Sequence, residues 1–138
     1  VSFEVTANTK AHHEERLFEM LLAHNGKFVA TDFAPLSVYC CDDNGQLVAG
    51  LSGRTVGGYL EISTIWVEEH HRGEGIGQEL LKLAESEARS RGCWKARLDT
   101  YDFQALSFYQ RLGYCEFAAL EDYYGRHSRH FLVKNLVE

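Results

Sequence analysis

The chain of 138 residues contains a single proline, Pro35, and no low-complexity tract. Unstructured segments are usually rich in proline, glycine and charge, so the sequence leaves no internal linker to explain. Apolar runs are short as well: none approaches the roughly 20 residues that a membrane-spanning helix requires. The opening VSFEVTANTK lacks the basic and apolar blocks of a secretory leader, and the expected compartment is the cytoplasm. Cysteine occurs only as Cys40, Cys41, Cys93 and Cys115, with no CxxC pair and no histidine at a zinc-ligand spacing. No metal is therefore expected, and the thiols read as small buried hydrophobes in a reducing compartment, with a catalytic thiol as the alternative. Lys and Arg number 14 against 20 Asp and Glu, for a net charge of -6, and they are not clustered. That balance disfavours a nucleic-acid or other phosphate-backbone partner and suits a cationic small molecule.

What is present is an ordinary globular mixture, 45% hydrophobic and 25% charged, with no composition shift, so one domain over residues 1–138 is expected. Residues 2–6 alternate like an edge strand, and Asn8 and Thr9 offer caps for a helix running to about Asn25, with Leu17, Met20 and Leu21 on one side. Gly26 supplies its stop signal. Strands are expected at 35–41 and 46–56 around the turn Asp42-Asp43-Asn44-Gly45, and at 59–67 after the turn Gly57-Gly58. From Ile76, the residues Leu80, Leu83 or Ala84, and Ala88 recur at helical spacing, while Gln78, Lys82, Glu85 and Arg89 take the other side. Gly92 ends that helix. A strand at 94–101, a short helix at 103–112 closed by Gly113, and a terminal strand pair at 114–120 and 128–133 complete the chain, with 121–127 as a loop. The order is β-α-β-β-β-α-β-α-β-β, an α/β fold with a mixed sheet flanked by helices.

The run Arg72-Gly73-Glu74-Gly75-Ile76-Gly77 stands between a strand and an amphipathic helix. Such a turn presents unpaired backbone N–H groups at the positive end of the helix dipole, glycines allow a bulky phosphate to approach, and Arg72 adds charge. A Walker loop is excluded because no Lys-Ser/Thr follows, and a dinucleotide fingerprint would require GxGxxG in a parallel unit near the chain's start. The run resembles the acetyl-CoA signature Arg/Gln-x-x-Gly-x-Gly/Ala of the GNAT superfamily of N-acetyltransferases, matched by Arg72, Gly75 and Gly77. ALSFYQRLGY, from Ala105 to Tyr114, is similar to that family's second motif.

The resemblance implies a V-shaped cleft where the strand at 59–67 splays from a parallel neighbour at 94–101. It implies acetyl-CoA as co-substrate, held by the backbone of Ile65, Trp66 and Val67 and by Arg72, Gly73, Glu74, Gly75, Ile76 and Gly77. Asp102 stands where many members carry Asn; its carboxylate accepts but cannot donate. Tyr109 matches the motif tyrosine that protonates the departing thiolate, and a backbone N–H near Ile65 would polarise the thioester carbonyl. The acceptor amine must lose a proton, and Glu61, counted back from Gly75, falls where some members place a strand glutamate; a water relay is the alternative, with Glu68 and Glu69 in reserve. Glu61, Ser63 and Ile65 share a strand face if no bulge intervenes. His70 and His71 read as relays or solvated loop residues, and Tyr123, Tyr124, His127 and His130 as an acceptor pocket or an aromatic loop. The implied reaction is acetyl transfer to the primary amine of a small cationic molecule by direct attack in a ternary complex. Acetylation of a protein lysine or N-terminus, and a non-catalytic acyl-CoA sensor, remain alternatives. Many members pair, so a homodimer is the expected assembly.

Overall fold

A computed structural model describes residues 1–138, which fall into two compact units, Val1–Thr31 and Asp32–Glu138. The first unit carries one helix, α1 (Ala11–Asn25). Residues 1–6 form no strand, contrary to the alternation read there. Alternation marks a segment that can pair, but a strand exists only with a ladder partner, and none of the sheet's strands pairs with this segment. The helix begins later than the caps at Asn8 and Thr9 suggest: Lys10 is the N-cap and its side chain makes no capping bond. The Asn8 N–H instead donates to Thr6 Oγ1 at 2.9 Å, a local turn that competes with capping.

The second unit is a six-stranded sheet in the order β1-β2-β3-β4-β6-β5. Its strands are β1 (Ala34–Cys41), β2 (Leu47–Val56), β3 (Tyr59–Val67), β4 (Lys95–Tyr101), β5 (Cys115–Tyr123) and β6 (His127–Asn135). Its helices are α2 (Ile76–Ser90) and α3 (Leu106–Arg111). Neighbours are antiparallel except β3 and β4, which are parallel because α2 carries the chain across between them. The last hairpin is longer than its sequence suggests: β5 runs on through Tyr123, absorbing irregularities between Glu116 and Ala118 and between Leu120 and Tyr123. Extra residues at bulges break the period of two by which a strand is recognised.

One face of the sheet is the core. Leu80, Leu81, Ala84 and Ala88 form the buried stripe of α2, and they join Leu36, Leu51, Leu60, Ile62, Ala96, Leu98 and Leu132 from the strands. Ala84 and Ala88 are fully buried, and their small side chains let the helix lie close to the sheet. Glu85 departs from expectation. Its helical position next to Ala84 reads as solvated, yet the side chain is only 6% exposed. The carboxylate accepts from the Tyr114 hydroxyl at 2.7 Å and from Lys134 Nζ at 2.9 Å. Arg89, one turn further along α2, adds a longer ion pair at 3.9 Å. Glu85 therefore joins α2 to the end of α3 and to β6.

Replacing Glu85 with Ala would strand a buried phenol and a half-buried ammonium, and we expect a loss of about 3 kcal/mol, the lower end for a broken buried pair. Equilibrium urea unfolding measures it. A loss below about 1 kcal/mol, typical of an exposed ion pair, would show that the carboxylate is not a structural tie.

Candidate active site

β2 runs beside β3 as far as Ala49 opposite Val67, but β4 pairs with β3 only through Tyr59, Leu60 and Glu61, ending at Glu61 opposite Arg97. Beyond that point β4 remains paired with β6 through Tyr101. The two parallel strands thus part in mid-sheet. Alternate N–H and C=O groups of a strand point to each side, so those of residues 62–67 on the β4 side face a gap without a ladder partner. Ile65, Trp66 and Val67 lie along it.

The β2–β3 register shifts between Ser52 and Gly53, where Ser63 is the extra residue on β3. The bulge reverses the alternation: Leu60 and Ile62 are buried in the core, and after it Ile65 and Val67 pack against that same core. Glu61 and Ile65 therefore lie on opposite faces, not on the shared face that an unbroken strand would provide. A Cβ on Gly53 would come within 2.3 Å of the Glu61 carbonyl oxygen, so glycine is required where the strands cross closest.

At the C-terminal end of β3 the chain turns through Glu69–His71 and the glycine run into α2. Gly73 and Gly75 have φ of 83° and 80°, the left-handed region that glycine occupies without strain. A Cβ on either would meet nothing within 4 Å, so there is open space above the turn. Gly75 is the α2 N-cap and no side chain caps the helix, which leaves the first-turn N–H groups near Ile76 and Gly77 available to an anion. Gly77 serves another purpose. A Cβ there would stand 3.1 Å from the Phe108 ring, so this glycine lets α2 approach α3. Arg72 folds back on β3: its Nε donates to the Val67 carbonyl at 3.0 Å and its guanidinium lies 4.5 Å from the Trp66 ring centroid. Glu74 pairs with His71 at 3.5 Å, on the exposed side of the turn.

Tyr109 is 6% exposed, with its ring 5.2 Å from Phe108 and 6.2 Å from Tyr114. Its hydroxyl makes no hydrogen bond to a protein group and is not sealed in. Burial pushes the phenol up to about 12, so it holds its proton throughout the neutral range.

Two sequence-derived roles fare differently. Asp102 is already engaged: Oδ1 pairs with His127 Nδ1 at 2.9 Å, and Oδ2 accepts from the Ser128 N–H at 3.0 Å. The Ser128 backbone bond, with His127 behind it, outweighs desolvation and holds the Asp102 carboxyl below its usual range. It fastens the end of β4 to the start of β6. Glu61 is likewise engaged. Arg54 Nε donates to Oε1 at 2.7 Å, while Arg97 donates from Nε to Oε2 at 2.8 Å and also from Nη2. Burial alone would raise the Glu61 carboxyl, but the two arginines more than reverse it and hold it below the ordinary value. A carboxylate so paired is a weak base.

Sequence reasoning missed these arginines. Arg54 was within reach of it, because a two-residue turn at Gly57-Gly58 places 54 opposite 61 by counting. Arg97 was not, since the register of a parallel pair is not encoded in any connecting turn. The loop residues did come together: Tyr123 and Tyr124 lie with Tyr101 and Phe103 in an aromatic cluster around Arg129, whose Nε bonds Asp99 at 2.8 Å. His70 and His71 sit in the short helical turn, with His70 exposed.

The profile of the Acetyltransferase (GNAT) family matches residues 3–114. The chain belongs to this family. Blasticidin-S acetyltransferase of Streptomyces morookaense is 41% identical over 106 residues, 74% of this chain and 78% of that protein. A crystal structure of a proposed acetyltransferase from Agrobacterium tumefaciens superposes with a TM-score of 0.92 at 32% identity, covering 98% of this chain and 99% of that one. An aminoglycoside 6'-N-acetyltransferase complexed with coenzyme A, 17% identical, shares the fold at a TM-score of 0.69 over 98% and 97% of the two chains. The chain is thus a GNAT acetyltransferase, and the parted strands with their glycine turn are the α/β architecture expected of it.

Replacing Tyr109 with Phe keeps the buried ring and removes only the open hydroxyl. We expect kcat to fall about 100-fold, the lower range for a lost general acid, with coenzyme A affinity changed less than about twofold. Thiol-release kinetics together with calorimetric titration of coenzyme A measure the two; an unaltered kcat would remove Tyr109 from the chemistry.

Proposed function

We propose that this acetyltransferase moves an acetyl group from acetyl-CoA to a primary amine of a small molecule, by direct attack with both reactants bound. The observation that carries the reading is the gap that opens between β3 and β4 after Glu61 and runs to the uncapped start of α2. Acetyl-CoA supplies the activated thioester. Its diphosphate suits the open space above Gly73 and Gly75, where the N–H groups of the first α2 turn converge and Arg72 needs only a side-chain rotation to reach. The unpaired edge of β3 at Ile65, Trp66 and Val67 suits the amide groups of the pantetheine arm, as a ladder partner would. An N–H on this edge polarises the acetyl carbonyl.

The amine nitrogen forms the new bond to the acetyl carbon as the carbon–sulfur bond breaks, the thiolate takes the Tyr109 hydroxyl proton, and the proton shed by the acylated nitrogen returns through water to restore the phenol. An alkylammonium with a pKa near 10.4 must first lose its own proton. With Glu61 held by two arginines, a water relay to solvent is the better route, and Glu61 keeps a positioning role. Holding both reactants in one cleft supplies the orientation that makes the attack fast. The acidic chain draws the protonated amine by modest steering, and a cytoplasmic setting suits an acetyl-CoA-dependent reaction. The relative named for blasticidin S supports a small-molecule acceptor over a protein one.

Two measurements test the reading. Purified protein should release coenzyme A thiol from acetyl-CoA when supplied with members of a small-amine panel that includes blasticidin S, aminoglycosides and polyamines. Binding of coenzyme A without release against any amine would instead indicate a sensor. Gly75→Val should weaken coenzyme A binding at least about 100-fold, since it fills the space above the turn and strains a positive φ. Normal binding by a folded Gly75→Val protein, checked by circular dichroism, would overturn the phosphate site.

A further inference from the structure

The face of the sheet turned away from α2 carries charge where a core would be expected. At its centre, where β3 and β4 part, a cavity is lined by Phe33, Gly53, Arg54, Ser63, Arg97 and Asp99, with Glu61 between the two arginines. The exposures are uneven: the Arg54 and Arg97 side chains are 45% and 44% exposed, but Glu61 is 18%. The carboxylate lies beneath and the guanidiniums lie on top, so what the cavity presents is positive.

Counting donors leads to the same conclusion. A guanidinium has five N–H groups. Arg54 commits Nε to Glu61, and Arg97 commits Nε and Nη2, so both forks keep N–H groups directed elsewhere. Oε1 of Glu61 accepts from Arg54 and Oε2 from Arg97, and the remaining N–H groups of both guanidiniums are bonded to no protein acceptor. The other acid at the cavity, Asp99, is matched by Arg129, whose Nε and Nη2 lie 2.8 and 2.7 Å from Oδ1. This face therefore has an unmatched positive charge in a chain of net charge -6. The Arg54 guanidinium is further held by the Phe33 ring, 4.9 Å from its centroid, so ordering it costs little when a ligand arrives.

The geometry points to Arg54 and Arg97 as a binding subsite for a carboxylate on the acceptor, so that the molecule acetylated is a zwitterion bearing an amine and a carboxylate, not a simple polyamine. This rests on the acceptor entering at the gap between β3 and β4, as proposed above. Glu61 is a positioning residue: it pins two guanidiniums side by side, a spacing that suits one more carboxylate accepting from both. The overall acidity steers the amine end, and the paired arginines select the other end.

The test compares 8-aminooctanoate with 8-aminooctanamide, and an α-amino acid set with its carboxamides, as acceptors in thiol release. Calorimetric titration of the same compounds into coenzyme A-loaded protein reads binding independently of turnover. The expected result is a kcat/KM at least about tenfold higher for the acids, expressed in KM, as for a charge-assisted pair worth at least about 1.4 kcal/mol. Arg54→Gln and Arg97→Gln should each collapse that ratio toward one, and Arg54→Lys should retain part of it because charge persists while the fork is lost. Equal use of acids and amides by the unaltered protein would overturn the subsite, as would an acid preference that survives both Gln variants. Should no amine be turned over while the acids still bind through the arginines, the transfer reading fails and the subsite stands.

Discussion

The early end of the pairing between β3 and β4 is the constraint on which the rest of the molecule depends. A parallel pair separating within a sheet leaves backbone donors and acceptors without a ladder partner, free to be satisfied by water or by a ligand. Three features of this chain impose the separation. β4 is committed to β6 along its full length, β3 is committed to β2, and the Ser63 bulge twists β3 just beyond its last bond to β4. The Glu61–Arg97 pair stands at the parting point and, with Arg54, ties together β2, β3 and β4 there. The gap thus has a rigid apex, and it widens toward the start of α2 and the end of β4.

The mouth of that gap is fixed from the other face. α2 begins at Gly75, so the position of the glycine turn is set by how α2 seats on the sheet. Leu80, Leu81, Ala84 and Ala88 set its depth, and the Glu85 carboxylate, shared by Tyr114 and Lys134, sets its rotation relative to α3 and β6. Gly77 then allows Phe108 to close against α2, and Tyr109 follows Phe108 in the same short helix. One helix therefore places both the glycine turn and, through α3, Tyr109. Asp102 performs the equivalent task at the end of β4 by fastening it to His127 and Ser128.

Much of this was legible in the residues, and what was not has a physical reason. Apart from β5, which runs three residues further than expected, the sheet's strands, the turns and α2 follow from local periodicity and turn chemistry, and they emerged within a residue or two. The glycine turn was readable because a tight entry into a helix makes specific backbone demands, met by positive φ at Gly73 and Gly75. Residues 2–6 were misread as a strand because alternation cannot reveal a missing partner. Glu85 was misread as solvated because helical phase places it at the border of the apolar stripe, and only Tyr114 and Lys134, distant in sequence, bring it inside. Glu61 was assigned as a base because position along a motif reports where a carboxylate stands, not which cations surround it. Asp102 illustrates the same limit from the side of hydrogen bonding: its acceptor capacity was clear, but not that β6 would use it.

In the proposed transfer, the burial of Tyr109 bears on how the proton would be delivered. A donor at about 12 facing an alkyl thiolate, whose reference value is near 8.5, would give up its proton against a gradient of about 5 kcal/mol if both groups kept those values. They do not keep them independently. The desolvation that raises the phenol acts on any thiolate formed in the same cleft, and it raises the thiol as well. Water excluded from the gap between β3 and β4 therefore brings donor and acceptor toward a common value, whereas an open gap would leave the phenol too weak an acid. A proton-donor role for Tyr109 would accordingly depend on exclusion of water as much as on the hydroxyl, and on the packing of Phe108 and Tyr114 around its ring.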